Sequence, residues 1–257
     1  ADDASPEAIA RAAVDHGCRS VAFTYNDPIV FLEYAVDVAA ACHEVGLRTV
    51  AVSSGYICDG PRDELYGVMD AANIDLKGFT EDFYRHLCGG HLAPVLDTLE
   101  WLVAHDVWTE VTTLVIPGHN DDDAQIGRMS DWLVDHLGPD VPLHLTAFHP
   151  DYKMLDVPGT RPETLTRLRH VALDHGLHHV YTGNVHDPAG GVTRCVACGT
   201  VVVQRDGYRI DTYRITDDGR CGHCGARIPG VFDGPAGTWG PRRQPVRMHP
   251  RSKGATC

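Results

Sequence analysis

The chain has few lysines and no long apolar segment. It contains three lysines, Lys77, Lys153 and Lys253, against 19 arginines in 257 residues. No apolar run is long enough to span a bilayer and no signal peptide opens the sequence, which predicts a cytoplasmic protein without a membrane partner. The sequence also lacks a glycine-rich phosphate loop, which argues against a nucleoside triphosphate as ligand.

The charge is acidic over most of the chain. The formal net charge is −13, and Asp outnumbers Glu by 27 to 8. Residues 234–257 carry five basic side chains and no acidic one, so the part before them carries about −18. This acidic body argues against a nucleic-acid partner, and only the basic end keeps nucleic-acid binding open as an alternative.

Strand and helix patterns alternate about six times. Strands are predicted at 21–25, 48–53, 72–77, 108–116, 143–148 and 179–182, with helices at 6–16, 26–46, 61–69, 80–87, 92–105, 121–137 and 161–175. This alternation with short connections predicts an α/β fold with a parallel sheet, arranged as a TIM-like (β/α) barrel or partial barrel. Six units are too few for the eight of a complete barrel. Because the chain opens on a helix rather than a strand, we expect it to start inside its own fold.

Polar side chains stand where the predicted strands end. They are Tyr25, Asn26 and Asp27, then Ser53 and Ser54, then Asp75 and Lys77, then His149, and finally Gly183-Asn184. The carboxyl ends of parallel strands meet at one edge of a sheet, where α/β proteins build their sites. Gly55, after the serines, would let a ligand approach the backbone closely. Each group alone also fits turn chemistry or a solvated strand end. Taken in order, they predict a cleft for a zwitterionic ligand that carries a ribose.

Four of the nine cysteines form two C-x-x-C pairs, Cys195 with Cys198 and Cys221 with Cys224. Two such pairs, separated by the length of a β-hairpin, suit a tetrahedral zinc site, with iron or an empty reduced site as alternatives. The metal would supply much of the stability of so small a module. We expect this module to be a structural cap, with a docking surface as the alternative. The other cysteines are scattered, and Cys88 is predicted to be a buried structural thiol.

Composition divides the chain into three parts. Residues 1–190 carry the alternating strands and helices of the predicted barrel. Residues 191–232 carry the cysteine pairs, with short strands predicted at 200–204 and 207–214, and form a predicted four-cysteine zinc ribbon. Residues 233–257 contain Gly, Pro and Arg without periodicity and are predicted to be a disordered basic tail.

Several of these motifs, in this order, resemble one enzyme family. They are Val21–Tyr34, Val52–Tyr56, Ala72–Tyr84, Cys88-Gly89 with Pro94-Val95-Leu96, Val111–Asn120, Phe148–Leu155 and Gly183-Asn184-Val185. Together they are similar to the radical S-adenosylmethionine (SAM) enzymes of the pyruvate formate-lyase activase type, and among them to the AmmeMemoRadiSam-system enzymes. That subfamily also ends in a four-cysteine ribbon followed by Ile-Pro-Gly, as Ile228-Pro229-Gly230 does here.

The resemblance implies a partial (β/α) barrel of the radical SAM type with a C-terminal zinc ribbon, and it implies roles for the strand ends. Tyr25, Asn26 and Asp27 correspond to the segment that meets the SAM amino group. Ser53, Ser54 and Asp75 would lie near the ribose and the methionine. Lys77 would approach the SAM carboxylate, and His149 the ribose or adenine.

One departure from the family is clear. Radical SAM enzymes hold a [4Fe-4S] cluster through a C-x-x-x-C-x-x-C loop, and this sequence has no such triplet. We expect that segment to precede the helix at 6–16 in a longer protein, through truncation or a split gene, while a true cluster-less relative stays open as an alternative.

The resemblance also implies a reaction and partners for the complete protein. It would cleave SAM reductively, with an electron donor and the cluster, to a 5′-deoxyadenosyl radical that acts on an unknown substrate. Memo-like and AMMECR-like proteins are candidate partners. Whether the chain itself is an enzyme stays open, since a non-enzymatic zinc-ribbon scaffold on an inactive barrel is the alternative.

Overall fold

A computed structural model describes residues 4–232, 234, 237, 245 and 246. The helices are α1 (Pro6–Asp15), α2 (Leu32–Glu44), α3 (Asp59–Tyr66), the one-turn α4 (Glu81–Phe83), α5 (Ala93–Ala104), α6 (Asp123–Leu137) and α7 (Pro162–Asp174). The strands are β1 (Ser20–Phe23), β2 (Arg48–Ser53), β3 (Ala71–Asp75), β4 (Trp108–Val115), β5 (Leu143–Ala147), β6 (Val180–Gly183), β7 (Val192–Arg194), β8 (Val201–Asp206) and β9 (Arg209–Tyr213). A 3₁₀ helix (Pro28–Phe31) precedes α2, and a π-helical turn (Tyr84–Cys88) follows α4.

The first six strands form one parallel sheet in the order β1-β2-β3-β4-β5-β6. The register places Ser53 opposite Ile74 and Asp75 opposite Thr112, so the ends of β2 and β3 lie side by side, and β4 continues to Val115. We call this side of the sheet the carboxyl edge and the opposite side the amino edge. The sheet confirms the predicted α/β fold, whereas its closure into a partial barrel stays a prediction.

Burial alternates along the strands because successive side chains point to opposite faces. In β4, Thr109, Val111, Thr113 and Val115 are buried and the residues between them are half-buried. The buried face packs into one apolar cluster with residues of the helices, among them Leu99. The half-buried face, which we call the inner face, carries polar residues.

Sequence and structure differ in detail at several element ends. The long helix predicted at 26–46 begins as the 3₁₀ helix, because Asp27 caps Ile29 and α2 starts only at Leu32. The strand predicted at 72–77 ends at Asp75, so Lys77 lies beyond it. The helix at 6–16 is found as α1, with Ser5 Oγ accepting a hydrogen bond from Ala8 N at 3.3 Å, as its N-cap chemistry predicts.

The four-cysteine module is a three-stranded antiparallel sheet, β7-β8-β9. The sequence predicted two of these strands and missed β7, which has only three residues. The module lies against the inner face near the amino edge, where the Tyr181 hydroxyl and Thr193 Oγ1 are hydrogen-bonded at 2.9 Å. Of the predicted disordered tail, 233–257, only residues 234, 237, 245 and 246 are described, so that prediction lies outside the described residues.

Among the described residues, no helix is both long enough and apolar enough to cross a bilayer. The longest, α6, has 15 residues and contains charged side chains.

Candidate functional site at the carboxyl edge

Asp27 joins the loops that follow β1 and β2. Its carboxylate accepts hydrogen bonds from Ser53 Oγ at 2.8 Å, from Ser54 N at 2.8 Å and from Ser54 Oγ at 2.6 Å, and a further one from Ile29 N at 3.2 Å. These four donors use the roughly four acceptor positions of a carboxylate. Asp27 therefore clamps the two loops together, and its predicted contact with a ligand stays a prediction.

Ser53 is buried behind this clamp. Its hydroxyl accepts hydrogen bonds from the Tyr66 hydroxyl at 3.0 Å and from Gly55 N at 3.1 Å. Burial raises the pKa of Tyr66 far above its usual range, which keeps the phenol protonated as a donor. Because Ser53 is buried, it stabilises the loop after β2 from the protein interior, whereas the half-buried Ser54 lies nearer to solvent.

Gly55 does not offer the open backbone that the sequence suggested. Its φ is +67°, and a Cβ at this position would lie 2.8 Å from Ile74 Cγ2. The space beside Gly55 is therefore filled by the side chain of the neighbouring strand. The predicted close approach of a ligand to Gly55 is wrong, and the glycine is required instead by the turn and by its contact with β3.

Asp75 and Lys77 form an ion pair at the end of β3. Lys77 Nζ lies 2.9 Å from Asp75 Oδ2, and the two side chains are 44% and 35% exposed. Both signs of charge are thus accessible to solvent within two residues of the strand end. Because Ser53 pairs with Ile74, this ion pair lies on the strand next to the Asp27 clamp.

Left-handed backbone occurs at non-glycine residues in the loops of the carboxyl edge. Tyr25 has φ 71°, Tyr152 has φ 48° and Asn184 has φ 59°. A bulky side chain in this conformation costs about 1–2 kcal/mol, and such strain is concentrated at functional sites. Tyr25 is 90% exposed, and Asn26 beside it is exposed as well. Asn184 Nδ2 donates to Ala147 O at 3.3 Å and so ties the end of β6 to the end of β5.

His149 and Cys88 are both exposed. His149 lies two residues past β5, at the same edge as the other predicted residues. Partial burial raises the pKa of the Cys88 thiol, and the nearby Lys77 charge offsets part of that rise. The prediction of a buried Cys88 is wrong, because the π-helical turn brings this residue to the surface near Lys77.

The four cysteines of the C-x-x-C pairs converge in the small module. Their sulfur atoms all lie within 4.8 Å of one another, with Cys195 Sγ 3.7 Å from Cys224 Sγ and Cys198 Sγ 3.8 Å from Cys221 Sγ. The arrangement could hold a metal ion. Hydrogen bonds from Thr200 lower the pKa of Cys198 to about 6. At Cys224 a backbone hydrogen bond lowers the pKa, but hydrogen bonds with the other three thiols outweigh it and raise the pKa to about 12, so Cys198 loses its proton before Cys224.

The two knuckles have the same backbone design. In the first, Gly199 N donates to Cys195 O and Cys195 N donates to Thr200 O, at 2.8 and 2.9 Å. In the second, Gly225 N donates to Cys221 O and Cys221 N donates to Ala226 O, both at 2.8 Å. Gly199 and Gly225 have φ of 70° and 75°. The sequence signal for this design is a glycine directly after each C-x-x-C pair.

Sequence reasoning missed a half-buried polar cluster on the inner face. His144 Nε2 lies 2.7 Å from Glu110 Oε2, and Trp108 Nε1 donates to Glu110 Oε1 at 3.1 Å. Burial raises the pKa of Glu110, but the hydrogen bonds and charge of its neighbours outweigh that effect and hold the pKa below its usual range. A cavity of about 1440 Å³ is lined by these residues and by residues of the cysteine module. The sequence signal that could have revealed this cluster is the occurrence of polar residues at alternate positions of β4 and β5.

The remaining cysteines of the described chain do not form a second centre. Cys18, Cys42, Cys58 and Cys88 lie on different elements, and the ribbon cysteines are the one group of three or more potential metal ligands found among the described residues. The described residues at the carboxyl edge therefore contain no ligand set for an iron-sulfur cluster.

Comparison with known proteins supplies the family. Residues 2–128 match the model of the radical SAM superfamily. An uncharacterized protein of Methanocaldococcus jannaschii is 36% identical over 87% of this chain and 67% of its own length. The pyruvate formate-lyase 1-activating enzyme of Escherichia coli is 24% identical over 59% of this chain and 66% of its own length. The chain thus spans about two thirds of the length of these relatives.

A solved structure shares the fold. A domain of the pyruvate-formate lyase-activating enzyme from Bacteroides vulgatus superposes with a TM-score of 0.57 at 18% identity, covering 64% of this chain and 99% of that domain. At this identity the similarity concerns the fold alone.

Proposed function

Since the chain belongs to the radical SAM superfamily, we propose that its carboxyl edge binds S-adenosylmethionine. The observation that carries this proposal is the solvent-accessible pair of Asp75 and Lys77 beside the Asp27 clamp. The methionine end of SAM is a zwitterion, so a site with both signs of charge is complementary to it.

Each predicted residue has a distinct part in this site. Lys77 would form an ion pair with the SAM carboxylate, either in place of its ion pair with Asp75 or in addition to it. Tyr25 and Asn26 would face the amino group from the loop that Asp27 holds in place. Ser54, with Ser53 behind it, and His149 would lie near the ribose and adenine. The strained Tyr25 backbone supports a functional role for this loop.

The family's chemistry requires a cluster that these residues do not hold. A [4Fe-4S] cluster would supply the electron that cleaves SAM to a 5′-deoxyadenosyl radical. Among the described residues no three thiolates lie together at the carboxyl edge, so we assign the chain SAM binding and no step of the cleavage. We propose reductive cleavage for the complete protein, on a substrate that the chain does not identify. The Memo-like and AMMECR-like partners stay predictions.

We propose that the ribbon cysteines bind structural zinc. Tetrahedral zinc with sulfur ligands at about 2.3 Å separates those sulfurs by roughly 3.8 Å. The observed 3.7 and 3.8 Å separations match this spacing, whereas a four-iron cluster places its thiolates on different iron atoms and farther apart. Metal analysis of the purified chain should give about one zinc and no iron. Iron with sulfide at these cysteines would refute the assignment.

The SAM site is tested by affinity. Lys77→Ala should weaken SAM binding about tenfold in equilibrium dialysis, because a charge-assisted hydrogen bond is lost. Arg209→Ala is the matched control, since it removes a cation that pairs with Asp211 at 2.7 Å in the ribbon, away from the carboxyl edge. Unchanged SAM affinity in Lys77→Ala, or an equal loss in the control, would overturn the proposed site.

A further inference from the structure

The chain leaves β3 through a tight turn that places Lys77. Leu76 N donates to Ile74 O at 3.1 Å, a two-residue separation that turns the backbone sharply at Asp75. From Leu76 to Phe79 the chain then belongs to neither strand nor helix. Its backbone groups are largely enclosed, so they need partners from elsewhere in the protein.

Four side chains supply those partners. Thr113 Oγ1 donates to Leu76 O at 2.7 Å, Lys77 N donates to the Tyr84 hydroxyl at 3.2 Å, Asn120 Nδ2 donates to Lys77 O at 2.7 Å, and Phe79 N donates to Gln125 Oε1 at 3.0 Å. All four side chains are buried, with at most 5% exposed. They come from β4, the loop after it, α6 and the π-helical turn. Both peptide groups of Lys77 are thus fixed by side chains instead of by the sheet.

Asn120 connects this segment to the end of β4. Besides Lys77 O, its Nδ2 donates to Leu114 O at 2.9 Å, and its Oδ1 accepts a hydrogen bond from Ile116 N at 2.6 Å. One side chain therefore holds the last residues of β4 and the backbone of Lys77 at a fixed separation.

Gly78 completes the enclosure. A Cβ at Gly78 would lie 2.6 Å from Phe83 Cδ1, so only glycine allows the backbone to lie against this ring. The segment around Lys77 is consequently packed on one side and hydrogen-bonded on the other, while the Lys77 side chain remains 44% exposed.

We propose that Thr113 and Asn120 are positioning residues for Lys77. They hold its backbone so that the ammonium is presented to the SAM carboxylate, and this inference rests on the proposed SAM site. A lysine side chain has four rotatable bonds and loses much freedom when it binds. When the backbone is already fixed, binding costs only the conformational entropy of the side chain and none of the backbone, which raises the affinity.

The test is a double-mutant comparison of SAM affinity. Thr113→Val keeps the shape of the side chain but removes the hydroxyl that holds Leu76 O. We expect it to weaken SAM binding about threefold, in line with one neutral hydrogen bond. In the Lys77→Ala background the same substitution should cause no further loss, because the residue it positions is gone. Thr113→Ser should restore the affinity.

Thr109→Val is the matched control. Thr109 is a buried threonine on the same strand and face, and its Oγ1 donates to Val107 O at 2.9 Å near the amino edge. It should lower stability as Thr113→Val does and leave SAM affinity unchanged. Asn120→Ala is the more direct variant, but it leaves three backbone groups without partners and can prevent folding, so Thr113 carries the test.

The outcomes separate the two proposals. If Lys77→Ala leaves SAM affinity unchanged, the SAM site itself is refuted. If Lys77→Ala weakens binding but Thr113→Val does not, or weakens it equally with and without Lys77, the positioning role alone is refuted.

Discussion

The carboxyl edge and the cysteine ribbon both hold polar groups in fixed places, but they do so by different means. The sheet and its helices bury one apolar cluster of 39 residues, whereas the ribbon buries six, two of them the cysteines Cys195 and Cys221. Burial of apolar surface is the main stabilising contribution to folding. The sheet therefore has a large core that supports its exposed ion pair, whereas the ribbon has a small core that would gain stability from the zinc proposed for its cysteines.

The two regions also differ in where backbone strain lies. At the carboxyl edge, left-handed positions are taken by glycines such as Gly55 and also by the non-glycine residues Tyr25, Tyr152 and Asn184. In the ribbon they are taken by glycines, among them Gly199 and Gly225. Glycine adopts this conformation without steric cost. The described part of the ribbon thus has left-handed backbone only at glycines, whereas the carboxyl edge has it at bulkier residues as well.

The largest expected effect follows from removing a ribbon ligand. Cys221→Ser should reduce bound zinc from about one per chain to nearly none and unfold the ribbon, since structural zinc contributes on the order of 10 kcal/mol to such modules. Hydrogen exchange should show lost protection in β7–β9 and intact protection in β1–β6. Cys58→Ser, an exposed cysteine outside the ribbon, is the control. Loss of protection throughout the six-stranded sheet would show that the two regions are not independent.

A core truncation in the sheet should show the reverse pattern. Leu99 is fully buried in the large cluster, so Leu99→Ala should lower the free energy of unfolding by about 3 kcal/mol. Zinc content should stay unchanged, because no ribbon contact is removed. Urea unfolding with parallel metal analysis measures both quantities. Zinc loss under native conditions would contradict the separation of the two regions.

The strain comparison predicts opposite signs for two substitutions. Tyr25→Asn should raise the free energy of unfolding by about 1 kcal/mol, since asparagine tolerates the left-handed region. Gly199→Ala should destabilise the ribbon by about 1–2 kcal/mol for the same steric reason. Thermal unfolding of the first and zinc affinity of the second are the measurements. A destabilised Tyr25→Asn would mean that contacts of the tyrosine outweigh its backbone strain.

The smallest effect concerns Glu110, which lies between the two regions. Its pKa in the folded protein is lowered, despite the opposing effect of burial, by His144, by Trp108 and by Arg205 of the ribbon. A carboxyl group with a lowered pKa stabilises the protein above its unfolded pKa of about 4.3, and this stabilisation is lost as the pH falls through the folded value. Glu110→Gln should therefore flatten the fall in stability below about pH 4.3. The free energy of unfolding is measured by urea titration at a series of pH values. If its fall below about pH 4.3 is the same in Glu110→Gln as in the parent protein, Glu110 does not contribute to the pH dependence of stability.

Part of this architecture follows directly from local patterns in the sequence. The alternation of strand and helix patterns predicted each of the six parallel strands. Local patterns were sufficient because each of these strands pairs only with its neighbours in sequence. The C-x-x-C spacing predicted the convergence of Cys195, Cys198, Cys221 and Cys224, because two tight turns on a hairpin bring four thiolates together.

Contacts set by register and by irregular backbone were not predictable from spacing. Glu110 and His144 are 34 positions apart and meet only through the pairing of β4 with β5. Asn120 reaches Lys77 across 43 positions. The exposure of Cys88 depends on the π-helical turn, and local propensity gives no signal for such a turn.

The strand order bears on how the molecule is made. Because every strand of the large sheet pairs with the one before it, each new strand and helix can dock on a completed neighbour as synthesis proceeds from the N-terminus. The ribbon is synthesised after all six of these strands. It can therefore come to lie against an inner face that has already formed, and binding of the zinc proposed for its cysteines would be a late event in the assembly of the chain.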